Sequence, residues 1–159
     1  MKQKSLATWL KMIILGVGLC GLVIYLGVIP SFGESLVYDY PEFSNRFWPW
    51  EIFLWISGIP CYSVLVVGWK IASNIGRDQS FSNANAKYLK WISWLAIGDG
   101  VFFFVGNIAL LCVNMSHPGV TLLSILVAFA GVAIAVASAV LSYLVQKAAD
   151  LQEQSDLTI

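Results

Sequence analysis

Residues 120–145, with the sequence VTLLSILVAFAGVAIAVASAVLSYLV, decide the fold of this chain. The stretch contains no Asp, Glu, Lys or Arg, and it is longer than the roughly 20 residues that an apolar helix needs to cross a bilayer. Three similarly apolar stretches precede it, at about residues 8–29, 50–71 and 89–113. In hydrocarbon every backbone N–H and C=O must be paired within its own segment, so each stretch is predicted to be a helix. The sequence therefore predicts an all-α fold, an integral membrane four-helix transmembrane bundle that occupies residues 1–159 as a single domain.

The overall composition favours a membrane protein over a soluble one. Of the 159 residues, 58% are hydrophobic and only 11% are charged, whereas an ordinary soluble domain has about 25% charged residues. So few charges cannot cover the surface of a water-soluble domain of this length. We therefore expect the lipid bilayer as the main partner. Because the formal net charge is zero, we expect no direct binding of nucleic acid.

The positions of the basic residues predict the orientation in the membrane. The four spans leave five polar segments, and Arg46 is the only base in the second of these. The other bases lie in or beside the first, third and fifth segments: Lys2, Lys4, Lys11, Lys70, Arg77, Lys87, Lys90 and Lys147. Segments rich in Lys and Arg stay on the cytoplasmic side. We therefore expect a multi-pass protein of the bacterial inner (plasma) membrane with both termini in the cytoplasm, an inner loop at 72–87 and a cytoplasmic tail at 146–159.

The connections between the spans carry local signals. We expect the outer loop at 31–49 to be a short hairpin on the outer membrane surface, with a lid that senses a ligand as the alternative. In the inner loop, Gly76 is predicted to end the second helix in a left-handed cap. Ser82 is predicted to be the N-cap of the third helix, because its hydroxyl can accept from a free backbone N–H. His117, in the second outer turn, is expected to be a solvated residue.

Asp99 is the one charged residue deep within a predicted span. An Asp near the centre of a transmembrane helix costs about 2.5–3.5 kcal/mol, so we expect it to face the bundle interior, either protonated or shielded by hydrogen-bond donors. An intramembrane polar layer is predicted from Asp99, Asn107, Ser63 and Ser138, with Gly18 and Tyr62 beside it. Ser63 and Ser138 lie at a similar depth to Asp99, and Asn107 lies two turns further out on a similar face of the same helix. This layer is either a structural lock between helices or a protonation switch.

Small residues in the last span predict close helix packing. Gly131, Ala135 and Ala139 recur at every fourth position. Lipid supplies no hydrophobic drive between helices, so transmembrane helices associate through close backbone approach at small residues. The first span offers a matching surface at Gly16, Gly18, Cys20 and Gly21. We expect packing within the bundle, while the same motif also permits a homo-oligomer.

The sequence lacks the residue patterns that catalysis requires. Its single His and its cysteines do not have the spacing of metal ligands, no nucleophile–base pair is visible, and no glycine-rich phosphate loop precedes a basic residue. We therefore expect a protein that is not an enzyme and that holds no metal or cofactor. The cysteines Cys20, Cys61 and Cys112 lie in apolar stretches and are interpreted as small packing residues.

The inner loop and the start of the third span carry the signature I-x(3)-I-G-x(4)-F-S-x-x-N-A-K-x-L-x-x-I over residues 71–92. With its four spans and its length, the chain resembles a bacterial family of uncharacterised membrane proteins. This is a domain-of-unknown-function family whose members are often encoded beside small Xre-type helix-turn-helix regulators. The resemblance implies a membrane-embedded regulatory partner that holds a small DNA-binding protein at the cytoplasmic face. The residues predicted to bind this partner are Arg77, Phe81, Ser82, Asn85 and Lys87.

The same loop also has a simpler interpretation. Phe81 is an apolar residue in a polar loop, which would either dock a partner or tuck against the membrane surface. Arg77, Lys87 and Lys90 form a basic rim that would meet either an acidic partner or anionic lipid, the latter at about 1 kcal/mol per charge. The sequence is consistent with both a protein partner and anionic lipid.

Two functions are consistent with these features. The first is a non-enzymatic regulatory or sensory membrane protein that acts on a cytoplasmic partner through the inner loop and tail. The second is a small transport or immunity-type protein with Asp99 in a polar cavity. A continuous water-accessible path to Asp99 would favour transport, and a tightly packed interior would favour regulation.

Overall fold

A computed structural model describes residues 3–115 and 118–156, and the described backbone is almost entirely helical. It forms five α-helices: α1 (Gln3–Val23), α2 (Ile29–Asp39), α3 (Phe47–Ile75), α4 (Asn83–Cys112) and α5 (Pro118–Asp156). A π-helix (Ile24–Val28) joins α1 to α2, and a 3-10 helix (Pro41–Arg46) leads into α3. No strand occurs in these two ranges, so the predicted all-α fold is confirmed. The predicted turn residue His117 lies outside the described residues.

Within the described ranges, four helical segments are long and apolar enough to cross a membrane, as predicted. They are Gln3–Asp39, Ser44–Ile75, Asn83–Cys112 and Gly119–Ser155. The chain exposes 10762 Å² of surface, against about 7,900 Å² for a compact soluble protein of this mass. Much of the excess is carried by large apolar side chains that a bilayer would cover. We call the end with residues 76–82 the inner end and the opposite end the outer end, in names that follow the predicted orientation.

The outer connection at 31–49 is helical, so the predicted surface hairpin was wrong. Pro30 does not end the first helix, because it stands in the first turn of α2, a position that proline commonly occupies. The first span is therefore one helical rod from Gln3 to Asp39. Only Tyr40 leaves the helical region before the next helix begins, with φ −132° and ψ 78°.

The π-helix explains how the rod passes Pro30. The Ile29 N–H bonds to the Ile24 carbonyl, five residues back. The next donor in that register would be Pro30, which has no N–H. The Tyr25 carbonyl therefore lacks this backbone donor, and Trp55 Nε1 of α3 donates to it at 3.1 Å. Since an unpaired carbonyl in hydrocarbon costs several kcal/mol, this bond ties the first rod to α3.

The inner loop is shorter than the predicted range 72–87, because α3 continues to Ile75 and α4 already begins at Asn83. The predicted N-cap at Ser82 is confirmed. Its backbone is extended, and its hydroxyl accepts from the Asn85 N–H at 3.3 Å. This bond satisfies one of the free donors in the first turn of α4.

The left-handed cap predicted at Gly76 was wrong. Gly76 keeps a helical φ of −65°, and Asp78 takes the left-handed conformation with φ 61°. The Asp78 N–H donates to the Ile75 carbonyl at 3.2 Å, and the Gln79 N–H donates to the Asn74 carbonyl at 3.0 Å. This is the Schellman pattern with Asp in the place that Gly usually occupies, and Asp tolerates that conformation better than most residues.

The small residues of α5 pack within the chain, as predicted, and their partner is α4. These two helices share the most extensive contact in the structure. A Cβ built on Gly131 would lie 3.5 Å from the Ala96 carbonyl oxygen and 3.8 Å from the Gly100 Cα. The two backbones therefore approach as closely as small residues permit.

The predicted contact between the first and last spans was wrong. Each membrane span packs on the next span along the chain: α1 contacts α3, α3 contacts α4, and α4 contacts α5. Two glycines of α1 face α3: a Cβ on Gly18 would touch Leu65, and one on Gly21 would meet the Tyr62 hydroxyl. Tyr62 uses that hydroxyl to donate to the Gly18 carbonyl at 2.8 Å.

Candidate functional site

The hydrogen-bond donor to Asp99 is Cys61, across the contact between α4 and α3. Cys61 Sγ donates to Asp99 Oδ2 at 3.5 Å. The other oxygen, Oδ1, is buried and has no hydrogen-bond partner among the described residues. The side chain of Tyr25, from the π-helix, interacts with Cys61 and with Ser57. Three helical segments thus meet at one small group, the polar cluster Tyr25, Ser57, Cys61 and Asp99.

The other residues predicted for the polar layer do not bond to Asp99. Ser63 donates to the Ile59 carbonyl of its own helix at 2.9 Å, and Asn107 donates to the Phe103 carbonyl at 2.8 Å. Ser138 is buried on α5, and no hydrogen bond within the described ranges links it to Asp99. Depth along a helix was the basis of the prediction, and depth does not determine which face of a neighbouring helix points at the carboxyl. Whether Asp99 is a lock or a switch stays a prediction.

A lateral cavity of about 500 Å³ lies between the first rod and α3. Its lining is mostly aromatic and aliphatic, from Leu22, Tyr25, Leu26, Trp55, Gly58, Ile59, Tyr62, Ser63 and Val66. Tyr25 belongs both to this lining and to the polar cluster, whereas Asp99 and Cys61 do not line the cavity. The cavity therefore does not open directly onto the carboxyl group.

The sequence interpretation missed the part that Cys61 plays. Its position in an apolar stretch is typical of a packing residue, and a thiol is a weak hydrogen-bond donor. The available signal was its depth, since Cys61 adjoins Tyr62, which was placed level with Asp99. No Lys or Arg lies at that depth in any span, so the depth of Cys61 would have identified its thiol as a candidate donor to the carboxyl.

At the inner end, one buried amide holds the loop together. Asn85 is 2% exposed. Its Nδ2 donates to the carbonyls of Gln79 at 3.0 Å and Ser80 at 3.1 Å. Its Oδ1 accepts from Asn74 Nδ2 at 2.8 Å. Asn85 therefore joins the end of α3, the loop and the start of α4 in a single network.

Two further bonds attach the inner end to the first and last helices. Ser142 Oγ of α5 donates to the Ala86 carbonyl at 2.7 Å, and this bond is buried. Ser80 Oγ donates to Gln3 Oε1 of α1 at 3.1 Å. At the inner end, α1 is thus bonded to the loop and α5 is bonded to the first turn of α4.

The five residues predicted to bind a partner fall into two groups. Ser82 and Asn85 use their side chains within the loop and determine its shape. Arg77, Phe81 and Lys87 are exposed at the inner end, and Phe81 is 59% exposed. An aromatic ring on a loop that is fixed by its own hydrogen bonds is available for contact with another molecule.

Comparison with known proteins gives a family and one relative. The profile of a family described as "Protein of unknown function (DUF2975)" matches residues 32–159. The chain is 26% identical over 152 residues to the "Uncharacterized membrane protein YoaS" of Bacillus subtilis (strain 168), and the match covers 94% of each chain. No solved structure matches the chain.

Proposed function

Because the chain belongs to the DUF2975 family of proteins of unknown function, and because its relative is described as a membrane protein, we propose a function from the geometry of the inner end. We propose that the protein is a non-enzymatic regulatory or sensory protein of the bacterial plasma membrane. Both of its termini lie in the cytoplasm. It acts there on a soluble partner such as a small DNA-binding regulator.

The observation that carries this proposal is the exposed ring of Phe81 on a loop of fixed shape. A flexible loop would lose conformational entropy when it bound a partner, and the Asn85 network removes much of that loss in advance. Preorganised aromatic residues are the usual anchors of protein interfaces. Arg77 is exposed in the same loop and adds a charge that would orient the partner.

The last helix enlarges the same surface. Ser142 is level with Ala86, because the two are hydrogen-bonded. From there α5 continues to Asp156, which corresponds to about 21 Å of helix beyond the bond. A partner seated on Phe81 would therefore also meet the side of this projecting helix.

The geometry gives less support to the transport alternative. Transport requires a path along which a solute reaches the intramembrane acid. The cavity beside the polar cluster is lined mostly by apolar side chains, and Asp99 is not part of that lining. A fixed inner surface favours a regulator over a carrier.

The test is affinity purification of the full-length protein from native membranes, with the co-purifying proteins identified by mass spectrometry. We expect a small DNA-binding protein to co-purify with the wild type and to be lost from the Phe81→Ala variant. Phe129→Ala is the matched control, because Phe129 is 72% exposed but lies in the apolar stretch of α5. This control should retain the partner.

Two outcomes would contradict the proposal. One is equal recovery of the partner with Phe81→Ala and with the wild type. The other is recovery of no DNA-binding protein after mild crosslinking in intact cells. Equal melting temperatures of the two Phe variants would show that any loss of partner is not caused by unfolding.

A further inference from the structure

One face of α4 carries a lysine, two tryptophans and an open glycine in a single line. Lys87, Trp91, Trp94, Gly98 and Val101 follow each other at intervals of three and four residues, so they lie on one face of the helix. All five are exposed, with Trp91 at 63% and Trp94 at 65%. We call them the α4 line.

This line points away from the neighbouring helices. On α4, Phe102 and Phe103 pack against Phe53 of α3. Gly100 faces the Ala128 carbonyl of α5. The α4 line lies on neither of these faces, and in a membrane it would therefore face lipid.

Gly98 leaves a notch in the α4 line. A Cβ built there would have no atom within 4 Å, while the residues before and after it in the line are the large side chains of Trp94 and Val101. Gly98 is about 16 Å from Lys87 along the helix axis. Half of a 30 Å hydrocarbon core is about 15 Å, so the notch and the lysine belong to the same leaflet.

The chemistry changes in a fixed order along this distance. Lys87 and the exposed Lys90 supply positive charge at the inner end, Trp91 and Trp94 are the ring types that favour the headgroup level, and the notch lies in hydrocarbon. A molecule that matches the lysines, the tryptophans and the notch in this order has an anionic headgroup, a polar linking region and an apolar chain.

We propose that the α4 line is a binding site for one anionic glycerophospholipid of the inner leaflet. The phosphate lies between Lys87 and Lys90, the glycerol region lies against Trp91 and Trp94, and one acyl chain fills the notch at Gly98. This site is independent of the proposed function. It assigns Lys87 to lipid and leaves Phe81 and Arg77 for the partner.

Native mass spectrometry of the full-length protein, equilibrated in detergent with equal amounts of phosphatidylglycerol and phosphatidylcholine of the same chain length, tests the site. The wild type should retain phosphatidylglycerol preferentially. Attraction of about 1 kcal/mol per basic residue corresponds to about fivefold per lysine, so Lys87→Gln with Lys90→Gln should weaken retention about 25-fold. Arginine at both positions should preserve it.

Two controls separate a built site from diffuse attraction. Lys147→Gln removes one exposed charge from the same end of the protein and should leave retention within about twofold of the wild type. Gly98→Leu fills the notch without altering charge and should weaken retention of phosphatidylglycerol, whereas Gly16→Leu, at another open glycine, should not. Equal losses with Lys147→Gln and the double variant, or unchanged retention with Gly98→Leu, would overturn the proposal.

Discussion

Replacement of Asn85, in the first turn of α4, by Ala should destabilise the inner end. The substitution removes three side-chain hydrogen bonds, to Asn74, Gln79 and Ser80. Each such bond contributes about 0.5–1.5 kcal/mol net. Gln79 is exposed, so water can replace part of what its carbonyl loses. We therefore expect a total loss of about 2–3 kcal/mol.

Thermal unfolding in nanodiscs, followed by tryptophan fluorescence, measures this loss. For a chain of this length about 1 kcal/mol corresponds to a shift of roughly 2–4 °C, so Asn85→Ala should melt about 4–12 °C below the wild type. Asn83→Ala is the matched control, because Asn83 is exposed and lies two residues earlier. Its effect should stay within about 0.5 kcal/mol. Equal melting of Asn85→Ala and the wild type, or an equal loss in both variants, would refute the role given to the Asn85 network.

Three further substitutions test contacts between the helices. Trp55→Phe keeps an aromatic ring but removes the donor to the Tyr25 carbonyl, so thermal unfolding should show a loss of about 1–3 kcal/mol. An unchanged melting temperature would contradict the account of the π-helix. Gly106→Ala places a Cβ against the ring of Phe53 and should lower the free energy of unfolding by about 1–3 kcal/mol, whereas Gly98→Ala, in open space, should be neutral or slightly stabilising. A reversed order would be inconsistent with the packing. Asp99→Asn retains an acceptor for the Cys61 thiol and removes the ionisable group, so the melting temperature of this variant should equal or exceed that of the wild type. A clear fall in melting temperature would identify Asp99 as a structural lock.

The number and placement of the spans could be predicted because they depend on local composition alone. A stretch such as 120–145 has no alternative to a helix in lipid, whatever it packs against. The N-cap at Ser82 is local in the same sense, since the cap bond reaches only to Asn85.

The course of the chain around Pro30 could not be read from composition. A proline after an apolar run normally indicates a helix end. Here the π-helix shifts the register so that Pro30 falls in the first turn of a new helix, and the freed carbonyl of Tyr25 is satisfied by Trp55 from a different span. That compensation is a tertiary contact, which no pattern within residues 24–39 reveals.

In the candidate sites too, features that depend on residue type could be predicted, and features that depend on tertiary contacts could not. Asp99 stands out in the sequence because its residue type is costly in lipid. Its donor, Cys61, depends on how α3 is rotated against α4. Asn85 was singled out only through the family resemblance, and its structural role as the centre of the loop network depends on Asn74 and Gln79, which carry no signal of their own.

The most direct test of the account is the side of the membrane on which Phe81 is exposed. Phe81→Cys and Tyr38→Cys would each be placed in a full-length background with Cys20→Ala, Cys112→Ala and Cys61→Ser, which keeps a donor for the polar cluster. A membrane-impermeant maleimide would then be applied to intact cells and to permeabilised cells. The account predicts that Tyr38→Cys reacts in intact cells, whereas Phe81→Cys reacts only after permeabilisation. Reaction of Phe81→Cys in intact cells would contradict a cytoplasmic docking surface.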